Sequence, residues 1–286
     1  MPLPHWYELA SPEDRREYDA FGPWILEVTT EDLMPPRFRS LWPDWQGGEF
    51  LYKIPVDRER RAARPGEVLY DRIVAVKDGR LGLFTVEKGE VRSRIVPLAE
   101  VVALRSAHIL LRGEFSVFLR GGDGVTLVYN TVSRPLVEKL MDYLRSGLPG
   151  RLDQVPPGAP DVPVADYAFL TLVRRHRQRR PGCRIAACLE PGQPCRDDRN
   201  RKRRTSGLLV LDAGGETVLL DTGPSPHKVR EAVYASRCTV LSHGAPTDLR
   251  VEGQTLVAEA GGHRFTWPLF GDTTALDGYL KNSSRT

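Results

Sequence analysis

The stretch from Gly113 to Arg145, GEFSVFLRGGDGVTLVYNTVSRPLVEKLMDYLR, decides the fold, because it reads as two strands and a helix and does so twice in this chain. "EFSVFL" and "VTLVYN" flank a turn at Gly121-Gly122-Asp123-Gly124. Ser133 then stands where a helix N-cap is expected. Behind it Leu136, Leu140 and Leu144 recur every four residues and mark one apolar helical face. The stretch from Gly253 to Lys281, GQTLVAEAGGHRFTWPLFGDTTALDGYLK, follows the same plan. Gly253 and Gly261-Gly262 match Gly113 and Gly121-Gly122, Thr273 or Thr274 takes the cap position, and Leu276 and Leu280 give a shorter apolar face. A helix apolar on one side needs a sheet to cover.

The repeat extends upstream. "FLYKIPVDRERRAARPGEVLYDRI" is similar to "YAFLTLVRRHRQRRPGCRIAACLE", each an apolar strand, a basic run, Arg-Pro-Gly and another strand. Pro65-Gly66 then matches Pro181-Gly182, and Gly89-Glu90 in "GLFTVEKGEV" matches Gly215-Glu216 in "GLLVLDAGGETV". The spacing between copies widens along the chain, so the second carries two insertions, one between Pro181 and Gly215 and one between Pro224 and Gly253. In the first copy "EVLYDRIVAV" and "LGLFTV" flank Lys77-Asp78-Gly79-Arg80, whose Asp-Gly suits the positive φ of a tight hairpin. Glu87-Lys88-Gly89-Glu90 makes the next turn, and "VRSRIVPL", "EVVAL", "HILL" and "EFSVFL" read as further strands.

About seven short antiparallel strands closed by a C-terminal helix resemble a pleckstrin-homology (PH)-like domain. With "ERRAARPGEVLYDRI" and "YNTVS" ahead of its last helix, the first copy is similar to an uncharacterised bacterial PH-like family. The resemblance covers residues 49–147 and, more weakly, 166–282. It implies a mainly β protein of two tandem bent sheets or partly open barrels, each closed by a C-terminal helix. The expected layout is an aromatic-rich segment at 1–48 packing on the first domain, PH-like domains at 49–148 and 166–286, and a Pro-rich linker at 149–165. PH-like domains generally bind lipids, peptides or proteins, so the resemblance implies a binding module rather than an enzyme, although fold alone assigns no task.

Composition agrees with a globular chain: of 286 residues, 41% are hydrophobic and 27% charged. No signal-peptide pattern opens the sequence and no apolar run is long enough to cross a membrane, so a cytoplasmic protein is expected, with peripheral membrane association open to it. Four cysteines are too few for a disulfide scaffold of this length. Trp6, Trp24, Trp42 and Trp45 concentrate in the first 48 residues, either to pack on the first domain or to dock a protein partner.

Net charge is +4, but twelve Lys/Arg and only four Asp/Glu lie between Asp166 and Ser206, so the rest of the chain is net negative. Within this basic passage Cys183, Cys188 and Cys195 lack the close pair of a structural zinc site. On one strand Cys183 and Cys188 would face opposite ways, so no metal or other cofactor is expected. The loop from Glu190 to Ser206 is instead expected to project Arg196, Arg199, Arg201, Lys202, Arg203 and Arg204 from one end of the second domain. In phosphoinositide-binding PH domains the corresponding loop holds phosphate, which implies an anionic lipid or phosphate surface as partner; nucleic acid is a weaker alternative. A second resemblance is to the metallo-β-lactamase fold: "LLVLDAGGETVLLDTGP" and "TVLSHGAPTD" place Asp221-Thr222-Gly223 and His243 as in that family. Ala245, Thr247 and Asp248 stand where its metal ligands belong, so at most a degenerate relative is implied. No nucleophile elbow, P-loop or dinucleotide fingerprint occurs, and no catalytic set is expected.

Overall fold

The computed structural model describes residues 5–148, 161–191, 194–196, 202–204, 206–222, 235–244 and 247–283. The chain is mainly β, its sheets are antiparallel and open, and among the described residues none closes into a barrel. Two compact units are present: residues 1–98 with Tyr129–Leu140, and Ala99–Val128 with Met141–Thr286.

The first unit begins with helices α1 (His5–Glu8) and α2 (Pro12–Ala20). The Ser11 hydroxyl accepts from the Asp14 N–H at 3.0 Å, the N-cap that starts α2. After β1 (Leu26–Glu27) and α3 (Trp42–Trp45) comes a meander of β2 (Phe50–Pro55), β3 (Tyr70–Lys77), β4 (Arg80–Glu87) and β5 (Glu90–Pro97). These pair in the order β1-β2-β3-β4-β5. The β3–β4 turn has Asp78 at φ 51° and Gly79 at φ 70°, the left-handed pair expected of Asp-Gly. Residues 21–45 lie along this sheet: Met34, Phe38 and Trp45 share a core with Leu51, Ile73 and Phe84, and the Trp45 and Phe84 rings meet edge to face at 5.6 Å. Trp45 is buried, while Trp24 is 39% exposed.

The second unit holds β6 (Val101–Ile109), β7 (Arg112–Leu119) and β8 (Gly124–Asn130), whose last two residues belong to the first unit, as does the first half of α4 (Arg134–Ser146). Beyond residue 160 come α5 (Tyr167–Arg179), β9 (Arg184–Leu189), the ribbon strands β10 (Pro194–Arg196) and β11 (Lys202–Arg204), β12 (Leu208–Asp212), β13 (Glu216–Thr222) and β14 (Ala235–Ser242). A three-stranded meander, β15 (Thr247–Glu252), β16 (Thr255–Ala260) and β17 (His263–Pro268), precedes α6 (Thr274–Ser283). The main sheet runs β8-β7-β6-β14-β13-β12-β9. Its centre is the β6–β14 pairing, from Ala235↔Ile109 to Leu241↔Ala103, which joins strands more than 120 residues apart in the chain. Residues on both sides of 149–160 belong to the second unit. Leu208, Val210, Leu219 and Leu241 bury one face of the main sheet against Leu256, Phe265 and Trp267 of the small sheet and Leu276 and Tyr279 of α6.

Several elements differ from the sequence reading. Where that reading puts a strand at Tyr167–Leu172, the chain opens α5. The Asp166 carboxylate accepts from the Phe169 N–H at 2.9 Å, and Phe169, Val173 and His176 bury one face at helical spacing. "HILL" is no strand of its own; His108 and Ile109 end β6, and Leu110 and Leu111 form the turn into β7. Ser133 is not the helix cap. Asn130 accepts from the Val132 N–H, and the buried Ser133 hydroxyl accepts from the Ile25 N–H at 2.7 Å. The buried face of α4 is Val137, Leu140, Met141 and Leu144, with Leu136 half-buried at its edge. Glycine recurs at the turns Asp78-Gly79, Lys88-Gly89 and Gly214-Gly215, so it marks a hairpin without identifying which one. Of the expected linker, 149–160 lies outside the described residues, and its end is tied down: Asp161 accepts from the Ile185 N–H and pairs with Arg177.

Candidate anionic-surface site

The basic segment joins β9 to β12, and both of its roots are held. At one root the Glu190 carboxylate accepts from the Ala165 N–H at 2.7 Å and the Asp166 N–H at 3.1 Å, a carboxylate seated at the start of α5. At the other, the Gly207 N–H donates to the Thr222 hydroxyl at 3.1 Å and the Thr222 N–H donates to the Gly207 carbonyl. Between them β10 and β11 pair antiparallel, with Arg196 opposite Lys202 and Cys195 opposite Arg203. The backbone thus brings Arg196, Lys202, Arg203 and Arg204 onto one two-stranded ribbon, while Arg199 and Arg201 lie outside the described residues. Six Lys/Arg and two Asp, Asp197 and Asp198, lie between Pro191 and Ser206.

The register places the roots of this segment at one end of the main sheet. Leu189 pairs with Leu208, Leu208 with Asp221, Asp221 with Arg237, Arg237 with Ala107, and Ala107 with Glu114. Past that row lie the roots of the basic segment and the β6–β7 turn. Asp221 is spoken for within the row: Arg237 Nε donates to both its oxygens, at 3.1 and 2.9 Å, and Trp267 Nε1 donates to Oδ2 at 3.0 Å.

Other polar clusters have structural partners. Arg145 donates to Glu216 Oε2 at 2.6 Å and lies 3.3 Å from His176 Nε2; all three are buried. Burial, then the neighbouring Arg145, Arg179 and Arg180, pushes the His176 imidazole down to about 3, so it is neutral and its ring nitrogen accepts from the guanidinium. Beside them Asp142, Arg145, Arg179 and Arg180 line a cavity of about 200 Å³, where Arg179 pairs with Asp142 and Arg180 donates to the Ala213 carbonyl. This network ties α4 and α5 to β13, and the sequence offered no signal for it because its members are 71 residues apart or lie in a run of similar arginines. His243 Nε2 meets the Thr217 hydroxyl at 2.7 Å, away from Asp221, so the two residues of the metallohydrolase resemblance are not brought together. Burial raises the Cys183 thiol, and raises those of Cys188 and Cys238 to about 12 and about 11. Among the described residues no three His, Cys, Asp or Glu side chains gather as a metal site, and no helix is long and apolar enough to cross a membrane.

No protein-family model matches the chain, and neither a curated protein nor a solved structure matches it.

Proposed function

We propose that this chain is a non-catalytic binding protein of two tandem PH-like domains that docks on an anionic surface through the segment from Glu190 to Ser206. The element order supports the domain reading. A four-stranded meander (β2–β5), a three-stranded meander (β6–β8) and a helix (α4) are followed by four strands (β9, β12–β14), three strands (β15–β17) and a helix (α6). What supports the functional reading is the anchoring: both roots of the basic segment are tied to the fold, and β10 and β11 pair Arg196 with Lys202 and Cys195 with Arg203 along the backbone. Near an anionic membrane each Lys or Arg contributes about 1 kcal/mol. Such binding weakens with salt, because the screening length is only about 8 Å at physiological ionic strength.

Sedimentation with anionic and neutral vesicles at two salt concentrations tests this. The wild-type protein is expected to sediment with anionic vesicles at low salt, and the triple variant Arg201→Ser, Arg203→Ser, Arg204→Ser to lose about a hundredfold in affinity. Equal sedimentation of the two proteins would overturn the reading.

A further inference from the structure

The β6–β7 turn carries large aliphatic side chains into solvent: Ile109 is 47% exposed, Leu110 73% and Leu111 69%. Leu110 has φ 52°, a left-handed conformation that costs a residue with a Cβ, and a glycine or asparagine would sit in it more easily. Among the described residues glycine fills most positive-φ positions, as at Gly79, Gly89, Gly214-Gly215 and Gly261-Gly262, and the other two non-glycine residues there, Asp78 and Lys88, are polar. Among the described residues Leu110 is the one apolar side chain in this conformation.

The turn's position supplies the partner. Ile109 pairs with Ala235, two residues past the row that ends at the roots of the basic segment, so turn and segment leave the sheet at the same end. Three strand spacings separate β6 from β12, about 14 Å. We propose that Ile109, Leu110 and Leu111 insert into the apolar boundary of an anionic lipid bilayer while the basic segment contacts its headgroups. This rests on the anionic-surface reading and deepens it by naming the surface. A polyphosphate has phosphates but nothing to accept three aliphatic side chains, whereas a bilayer offers both within about 5–10 Å of its surface, on the order of the reach of a hairpin tip.

The test compares wild type, Leu110→Gly with Leu111→Ser, and the triple arginine variant. Each is sedimented with vesicles of mixed phosphatidylcholine and phosphatidylserine and assayed for binding to long-chain polyphosphate. Glycine suits the turn, so the double variant should melt no lower than wild type. It is expected to lose about tenfold to a hundredfold in vesicle binding, with polyphosphate binding unchanged, because only apolar burial has been removed. The triple variant should lose both. If the double variant binds vesicles as wild type does while the triple variant fails, the apolar anchor is overturned and the anionic-surface reading stands. If the triple variant binds as wild type does, both fall. A wild-type dimer that the double variant converts to monomer, with vesicle binding intact, would assign the turn to self-association and overturn the anchor.

Discussion

Glu216 is wholly buried, and the guanidinium of Arg145 is what makes its charge tolerable there. Removing one member strands the other, so Arg145→Leu should cost about 3–5 kcal/mol, while the double change Arg145→Leu, Glu216→Leu should recover much of it. Chemical denaturation of the three proteins measures this. His176 supplies a pH dependence. Its folded pKa lies far below the usual value of 6.5, so its contribution to stability is complete above pH 6.5 and is lost as pH falls toward 3. The slope is at most about 1.4 kcal/mol per pH unit. His176→Gln should flatten the acid limb of a stability profile in that window.

At the scale of elements, Leu140 lies on the buried face of α4 at 2% exposure. Leu140→Ala should cost about 2–5 kcal/mol, read as a shifted denaturation midpoint with an unchanged slope. Two glycine turns also touch: the Gly121 and Gly122 N–H groups donate to the Gly261 carbonyl at 2.9 and 3.0 Å. A Cβ on Gly262, at φ 91°, would stand 3.0 Å from the Gly122 nitrogen, whereas one on Gly253, at φ 59°, meets nothing within 4 Å. Gly262→Ala should lower the melting temperature more than Gly253→Ala, whose cost is about 1–2 kcal/mol of backbone strain alone. The faces of α4 and α6 and the Asp78-Gly79 turn were legible because their periodicity and turn chemistry are local. The helix at Tyr167 was not, since its short apolar run suits a strand equally well and only the Asp166 cap and the burial of His176 decide it.

Across the whole molecule, the β6–β14 pairing makes the second unit depend on residues 99–128. Separate expression of 1–148 and 149–286 should leave β6 and β14 as bare edges, so each fragment is expected to aggregate alone and the two to recover solubility together. Two soluble, monomeric fragments would show that the shared sheet is dispensable.

The sequence by itself determined the β-rich composition, the hairpins whose turns carry Asp-Gly or Gly-Gly, the amphipathic faces of α4 and α6, and the presence of one strongly basic segment. These are properties of neighbours along the chain, and side-chain period or turn chemistry specifies them. Only the tertiary structure decided that β6 pairs with β14, that Arg145 meets Glu216 and His176, that Ser133 holds Ile25, and that the Ile109–Leu111 turn shares a sheet end with the basic segment. Each of those joins residues far apart in the chain, where strand register and burial, rather than local preference, choose the partner.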